Sequence, residues 1–139
     1  MGVETIKFYF EPGKKLEARR DDLLERMINR VNKIEDAGSE YWNGIYETDS
    51  KEIVVLEQQI LAGLHALVEE VGDLFSGYAA SRKACNNDII ALRSVVTGED
   101  FGDSQQQTRP DIALRTKKKA FDLSRSLRNE RQRLKRVLI

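Results

Sequence analysis

Apolar residues recur every three or four positions over most of this chain, the spacing of amphipathic helices. Leu16, Leu23, Leu24, Met27, Ile28, Val31 and Ile34 share one face and leave Arg19, Asp22, Glu25 and Arg26 outside, which predicts a helix over about 14–36. Gly38 stands where that helix is expected to stop. Upstream, residues 3–10 fit two patterns. Ile6, Phe8 and Phe10 alternate like a short strand, while Val3, Ile6 and Phe10 fit one helical face. Glu11-Pro12-Gly13 then reads as punctuation.

Residues 38–49 read as a loop built around the turn dipeptide Asn43-Gly44, with Asp49 or Ser50 placed to cap the next helix. Beyond it, Ile60, Leu64, Leu67, Val71, Leu74 and Tyr78 alternate four and three, and the same phase resumes at Cys85, Ile89, Leu92 and Val96. Val54, Leu61, Val68 and Phe75 add a second row every seven residues. Kept phase over such a length predicts one long helix, 50–97, of about 72 Å at ~1.5 Å per residue. A break within the poorly apolar residues 79–88, with Asn86 or Asn87 capping a shorter helix, is the alternative. Residues 98–108 read as a flexible polar loop. A last helix is expected over about 109–138, with Pro110 in its first turn and Ala113, Ala120, Leu127 and Leu134 repeating every seven. Leu114, Phe121 and Leu123 widen that stripe.

These elements predict an all-α chain forming one helical domain, an elongated antiparallel hairpin or three-helix bundle around a long central helix. The stripe is too wide for a two-stranded coiled-coil seam, and two shorter helices barely cover a 48-residue one. Uncovered apolar surface is expected to drive self-association, as a homodimer or a larger homo-oligomer.

Charge changes the picture, because it is sorted along the chain. Residues 37–108 carry 4 Lys/Arg against 12 Asp/Glu, residues 109–139 carry 11 against 3, and the remainder is balanced, so a net charge of zero conceals an acidic middle and a basic end. Sorting of this kind directs docking. If residue 97 faces residue 109, Arg133 falls opposite Asp73 and Arg136 opposite Glu70, so the basic end complements a Glu69, Glu70, Asp73 cluster. Exposed pairs of this sort set register more than they hold a fold, at ~0–1 kcal/mol each.

Catalytic chemistry finds little support. His65 is the only histidine, and position 62, where a helical di-metal motif would place Glu, is alanine. The lone Cys85 sits on the apolar stripe and reads as a packed side chain. Glu17, Asp21 and Glu25 form an i,i+4 carboxylate row, and Glu99, Asp100 and Asp103 cluster in a loop without EF-hand spacing; both read as solvated charge. No phosphate loop, dinucleotide fingerprint or zinc-protease motif occurs, so no cofactor and no metal is expected, and the chain is expected not to be an enzyme.

The expected function is a helical interaction or scaffold module that docks a protein partner. Its candidate contact residues are Tyr41, Trp42 and Tyr46 in the aromatic loop, and Arg128, Arg131, Arg133, Lys135 and Arg136 in the basic helix. The aromatic group could instead plug the end of a bundle. The basic helix also carries two other readings: a nucleic-acid-binding accessory protein, or the soluble part of a peripheral or anchored membrane protein resting on an anionic surface. Without a signal-peptide pattern or an apolar run of ~18–20 residues, and with one cysteine, the expected compartment is the cytoplasm.

Overall fold

A computed structural model describes residues 2–44, 50–98, 101–102 and 108–138, with side chains from 15 to 136. The chain is all-helical over these residues: α1 (Gly2–Asn43), α2 (Lys51–Leu74), α3 (Ala79–Val96) and α4 (Pro110–Leu138). The packed pairs are α1 with α2, α2 with α3, α3 with α4, and α4 with α1. Each helix thus occupies one corner of a four-helix bundle, with α2 diagonal to α4.

Directions follow from which ends meet. Tyr41 bonds Glu57 and Arg30 bonds Glu70, so α1 and α2 run antiparallel. Arg131 reaches Glu17 while the Arg109 amide bonds the Trp42 carbonyl, so α1 and α4 are antiparallel as well. Ser81 bonds Glu130 at one end of α3, and Val96 meets Thr116 across Gly38 at the other, which makes α3 antiparallel to α4. The result is up-down-up-down.

The expected helix 50–97 is therefore two helices in opposite directions. Phe75, Ser76, Gly77 and Tyr78 make the reversal, and Gly77 takes φ +84°, a left-handed conformation that glycine adopts without a Cβ penalty. Phase did not reveal the turn for a simple reason. Four turn residues come close to one helical repeat of 3.6, so the count is preserved while the direction is not. Each half also faces the same core and needs the same stripe. Asn86 and Asn87 lie inside α3, which starts instead at Ala79.

The first helix also exceeds its expected bounds. Its backbone runs from Gly2 through Pro12 to Asn43, so residues 3–10 are helical and Gly38 is no stop signal. Gly38 is instead a contact point, where a Cβ would stand 2.9 Å from Val96 Cγ2 and 3.0 Å from Thr116 Cγ2. At α2 the expected cap is present: the Ser50 side chain accepts from the Glu52 amide at 3.2 Å.

Core residues come from all four helices, among them Met27, Val31, Ile34, Ile60, Leu67, Val71, Cys85, Ile89, Leu92, Leu123 and Leu127. Burial of this stripe, at roughly 25 cal/mol per Å² of apolar area, dominates the stability. With four helices closing around it, the shortage of cover that three helices would have left disappears. Some expected core positions lie outside it: Leu16, Val54, Leu61, Val68, Leu114 and Phe121 are exposed. Among the described residues, no helix is long and apolar enough to cross a membrane.

Candidate functional site

The aromatic residues at the end of α1 are sealed in. Trp42 is fully buried, and its indole N–H donates to the Val96 carbonyl at 2.9 Å. Tyr41, equally buried, donates its hydroxyl to Glu57 Oε1 at 2.9 Å and accepts from the Gly102 amide at 3.0 Å. The two rings meet edge to face at 5.0 Å, and Phe101 closes on Tyr41 at the same spacing. The Trp42 carbonyl takes the Arg109 amide at 2.7 Å. Tyr41 and Trp42 are thus not a contact patch. Their polar tips satisfy backbone groups and carboxylate at the bundle's end, and their rings fill it. Tyr46 lies outside the described residues.

The basic end of α4 meets α1 rather than α2. Arg131, with only 3 % of its side chain exposed, places Nη2 at 2.5 Å from Glu17 Oε2 and Nε at 3.3 Å from Asp21 Oδ1. Lys135 reaches Asp21 at 2.8 Å and Arg128 reaches Glu25 at 3.1 Å. Burial works to raise the Asp21 carboxyl, but Lys135 and Arg131 together outweigh it and hold the group below its ordinary value. The carboxylate row Glu17, Asp21, Glu25, read from sequence as solvated charge, is the observed complement of this basic segment.

The expected pairing with the α2 cluster does not form. Arg133 bonds Glu130 at 2.7 Å and Ser81 Oγ at 2.7 Å, both away from Asp73. Glu70 is taken by Arg30 at 2.6 Å. Glu69 faces His65 at 3.3 Å on its own helix, with both side chains well exposed. The physical reason is the reversal at Gly77, which carries α3, not α2, alongside α4. Arg136 is exposed.

Reactive chemistry is equally sparse. Cys85 is fully buried, and burial first, then Glu130 and Asp88, push its thiol up to about 12. No three His, Cys, Asp or Glu among the described residues converge to hold a metal ion. An open groove of about 660 Å³ beside the α2–α3 turn is lined by charged residues of both signs, Arg19, Arg20, Arg26, Asp22 and Asp73 among them.

What the bundle leaves available is its outer surface. On α2, Val54, Leu61 and Val68 remain exposed in a row spaced by seven, with Val55 beside it. On α4, Leu114 and Phe121 are 70 % and 65 % exposed, also seven apart. Around them lie Lys117, Lys118 and Arg125, the last with its guanidinium 5.9 Å from the Phe121 ring centre. Sequence reading placed both rows in the core, because an apolar row every seven residues looks the same whether it lines the inside or the outside of a helix. Comparison with protein-family models, curated proteins and solved structures finds no match for the chain.

Proposed function

We propose that this chain is a non-catalytic helical interaction module that self-associates and docks a protein partner. The supporting observation is the exposed row Val54, Leu61 and Val68 on α2. Single exposed aliphatic residues are ordinary on a protein surface. Three at a constant spacing of seven, along the flank of the stripe that serves the core, form a continuous strip suited to a second helix. The closed core means that self-association is not needed to complete the fold. It would join finished bundles.

Equilibrium sedimentation at micromolar concentration tests this. A species larger than the 15.9 kDa chain, growing with concentration, is expected. A strict monomer over the whole range refutes it.

One observation favours a second reading, a nucleic-acid-binding accessory protein. Lys117, Lys118 and Lys119 make no ion pair among the described residues, so α4 offers cations that the fold does not consume. Under that reading, duplex DNA binds at low salt and the log of the binding constant falls linearly with log salt. The absence of any salt-dependent binding removes it. A peripheral-membrane role would use the same cations and is separated by binding to vesicles rich in phosphatidylserine.

A further inference from the structure

We infer that copies of this chain associate head to tail, the acidic outer face of α2 on one copy seated against the basic outer face of α4 on the next. The inference rests on the self-association reading and specifies its geometry. Three observations carry it.

First, the two exposed apolar rows match in spacing. Val54, Leu61 and Val68 on α2, and Leu114 and Phe121 on α4, both repeat every seven residues. Seven residues rise about 10.5 Å on either helix, so ridges of one can sit beside ridges of the other without loss of register.

Second, the rows differ in sign of charge. α2 carries one cation, Lys51, against the acids Glu52, Glu57, Glu69, Glu70 and Asp73. Ten Lys/Arg against three Asp/Glu lie on α4. Internal pairing takes Glu70 to Arg30, and Arg128, Arg131 and Lys135 to α1. Beside the α4 row, Lys117 and Lys118 make no ion pair among the described residues, while Arg125 pairs with Asp122 at 3.7 Å on its own helix; beside the α2 row, Glu69 pairs only with His65 on its own helix, at 3.3 Å, with both side chains well exposed. Placing α4 on α4 would bring cation clusters together, and α2 on α2 would do the same with acids. Only α2 on α4 joins unlike charges over apolar contact, which favours the mixed contact and suppresses both symmetric ones.

Third, α2 and α4 are at diagonal corners of the bundle. Their outer faces point away from each other, so one copy cannot satisfy itself. A heterologous contact leaves a free α2 face on one end and a free α4 face on the other. It continues until a ring closes or a string forms. A single helix-on-helix contact is at the small end of interface size, so association is weak and falls with salt.

The test uses two variants altered only at exposed positions: Leu61→Ser with Val68→Ser on α2, and Leu114→Ser with Phe121→Ser on α4. In sedimentation velocity, the wild-type chain is expected to form species beyond a dimer, reduced in 0.5 M salt. Each variant alone is expected to be monomeric with an unchanged helical circular-dichroism spectrum. Mixed in equal amounts, the two variants are expected to form a 1:1 heterodimer and nothing larger, since each retains one intact face. If one variant still associates like wild type, the contact is symmetric, and this inference fails while self-association stands. If both are monomeric and do not pair when mixed, the head-to-tail contact is likewise refuted. If the wild-type chain is monomeric at all concentrations, both readings fall. Binding of that monomer to duplex DNA or to phosphatidylserine vesicles, lost in the α4 variant, would then identify the occupant of the α4 face.

Discussion

Arg131 should be more costly to strand than to remove. Its guanidinium is almost fully enclosed, and its two carboxylate partners, Glu17 and Asp21, keep 37 % and 46 % of their side chains exposed. Arg131→Met takes away the buried charge and leaves an apolar stem of similar length in the same slot. The carboxylates it abandons can turn to water, so the expected cost is about 0–1 kcal/mol. Glu17→Gln with Asp21→Asn does the reverse, leaving a charged guanidinium with only neutral acceptors in a water-poor site. Breaking a fully buried pair from one side costs about 3–5 kcal/mol. Water on the carboxylate side screens part of that, and about 2–3 kcal/mol remains. Urea unfolding followed by circular dichroism reads the difference. With a slope of about 2 kcal/mol per molar urea, the double carboxamide variant should lose about 1–1.5 M in midpoint, and Arg131→Met about half a molar or less. Equal losses, or a larger loss for Arg131→Met, would refute the argument that desolvation of the arginine governs this site.

Two glycines in helices should respond oppositely to alanine. Gly38→Ala pushes a methyl into Val96 and Thr116 and is expected to destabilise, by about 1–3 kcal/mol less a gain of up to about 1 kcal/mol in helix propensity. Gly72→Ala meets nothing within 4 Å and should stabilise by about 0.5–1 kcal/mol; paired melting curves showing the same sign for both would contradict the packing. Cys85, with its thiol raised to about 12, should resist a thiol-specific reagent at pH 8 until urea unfolds the chain; rapid labelling of the native protein would show that the helix pair does not cover it. The Asp21 carboxyl is held below 3.8, so its contribution is complete above that value and is lost as pH falls through the lower folded-state pKa. The melting-temperature gap between wild type and Asp21→Asn should therefore be constant from pH 7 to 5 and shrink below about pH 4. A gap that widens in acid would reverse the sign of the argument.

Helical class and the core stripe were legible in the sequence because both depend on periodicity alone. Ile60, Leu64, Leu67, Val71 and Leu74, and Cys85, Ile89, Leu92 and Val96, are buried as their spacing requires. Reversal of the chain was not legible in the same way. Periodicity measures angle around an axis and is blind to the sense of travel along it. The signal that was present is Gly77, one of three glycines in the apparent helix; φ +84° distinguishes it from Gly63 and Gly72, but only the structure supplies that angle. Gly63 has a different use, since a Cβ there would stand 2.8 Å from Ile34 Cγ1 where α1 and α2 approach.

The ion pairs show how one missed turn propagates. Charge sorting pointed to the basic end of α4 as a group needing acids, and four of its cations, Arg128, Arg131, Arg133 and Lys135, are indeed engaged. The acids were misplaced because a continuous helix 50–97 would have laid residues 69–73 beside the end of α4. Once α3 turns back, that space belongs to Ser81, and α1 supplies the carboxylates instead. A sequence signature for this existed. Glu17, Asp21 and Glu25 repeat at four, and Arg128, Arg131 and Lys135 repeat at three and four, so each set lines one face of its helix. Set antiparallel, the two rows face each other with Arg131 shared, Glu17 with Arg131, Asp21 with Arg131 and Lys135, Glu25 with Arg128. Spacing identifies such rows as complementary faces where bulk charge per segment cannot, because the energy of an ion pair falls off over a few ångströms and is decided by register. Of the acids of α2, Glu70 and Glu57 are taken by Arg30 and Tyr41 of α1, while Glu52 and Glu69 stay on the outside, opposite in sign and diagonal in position to the free lysines of α4, which is the asymmetry a head-to-tail contact requires.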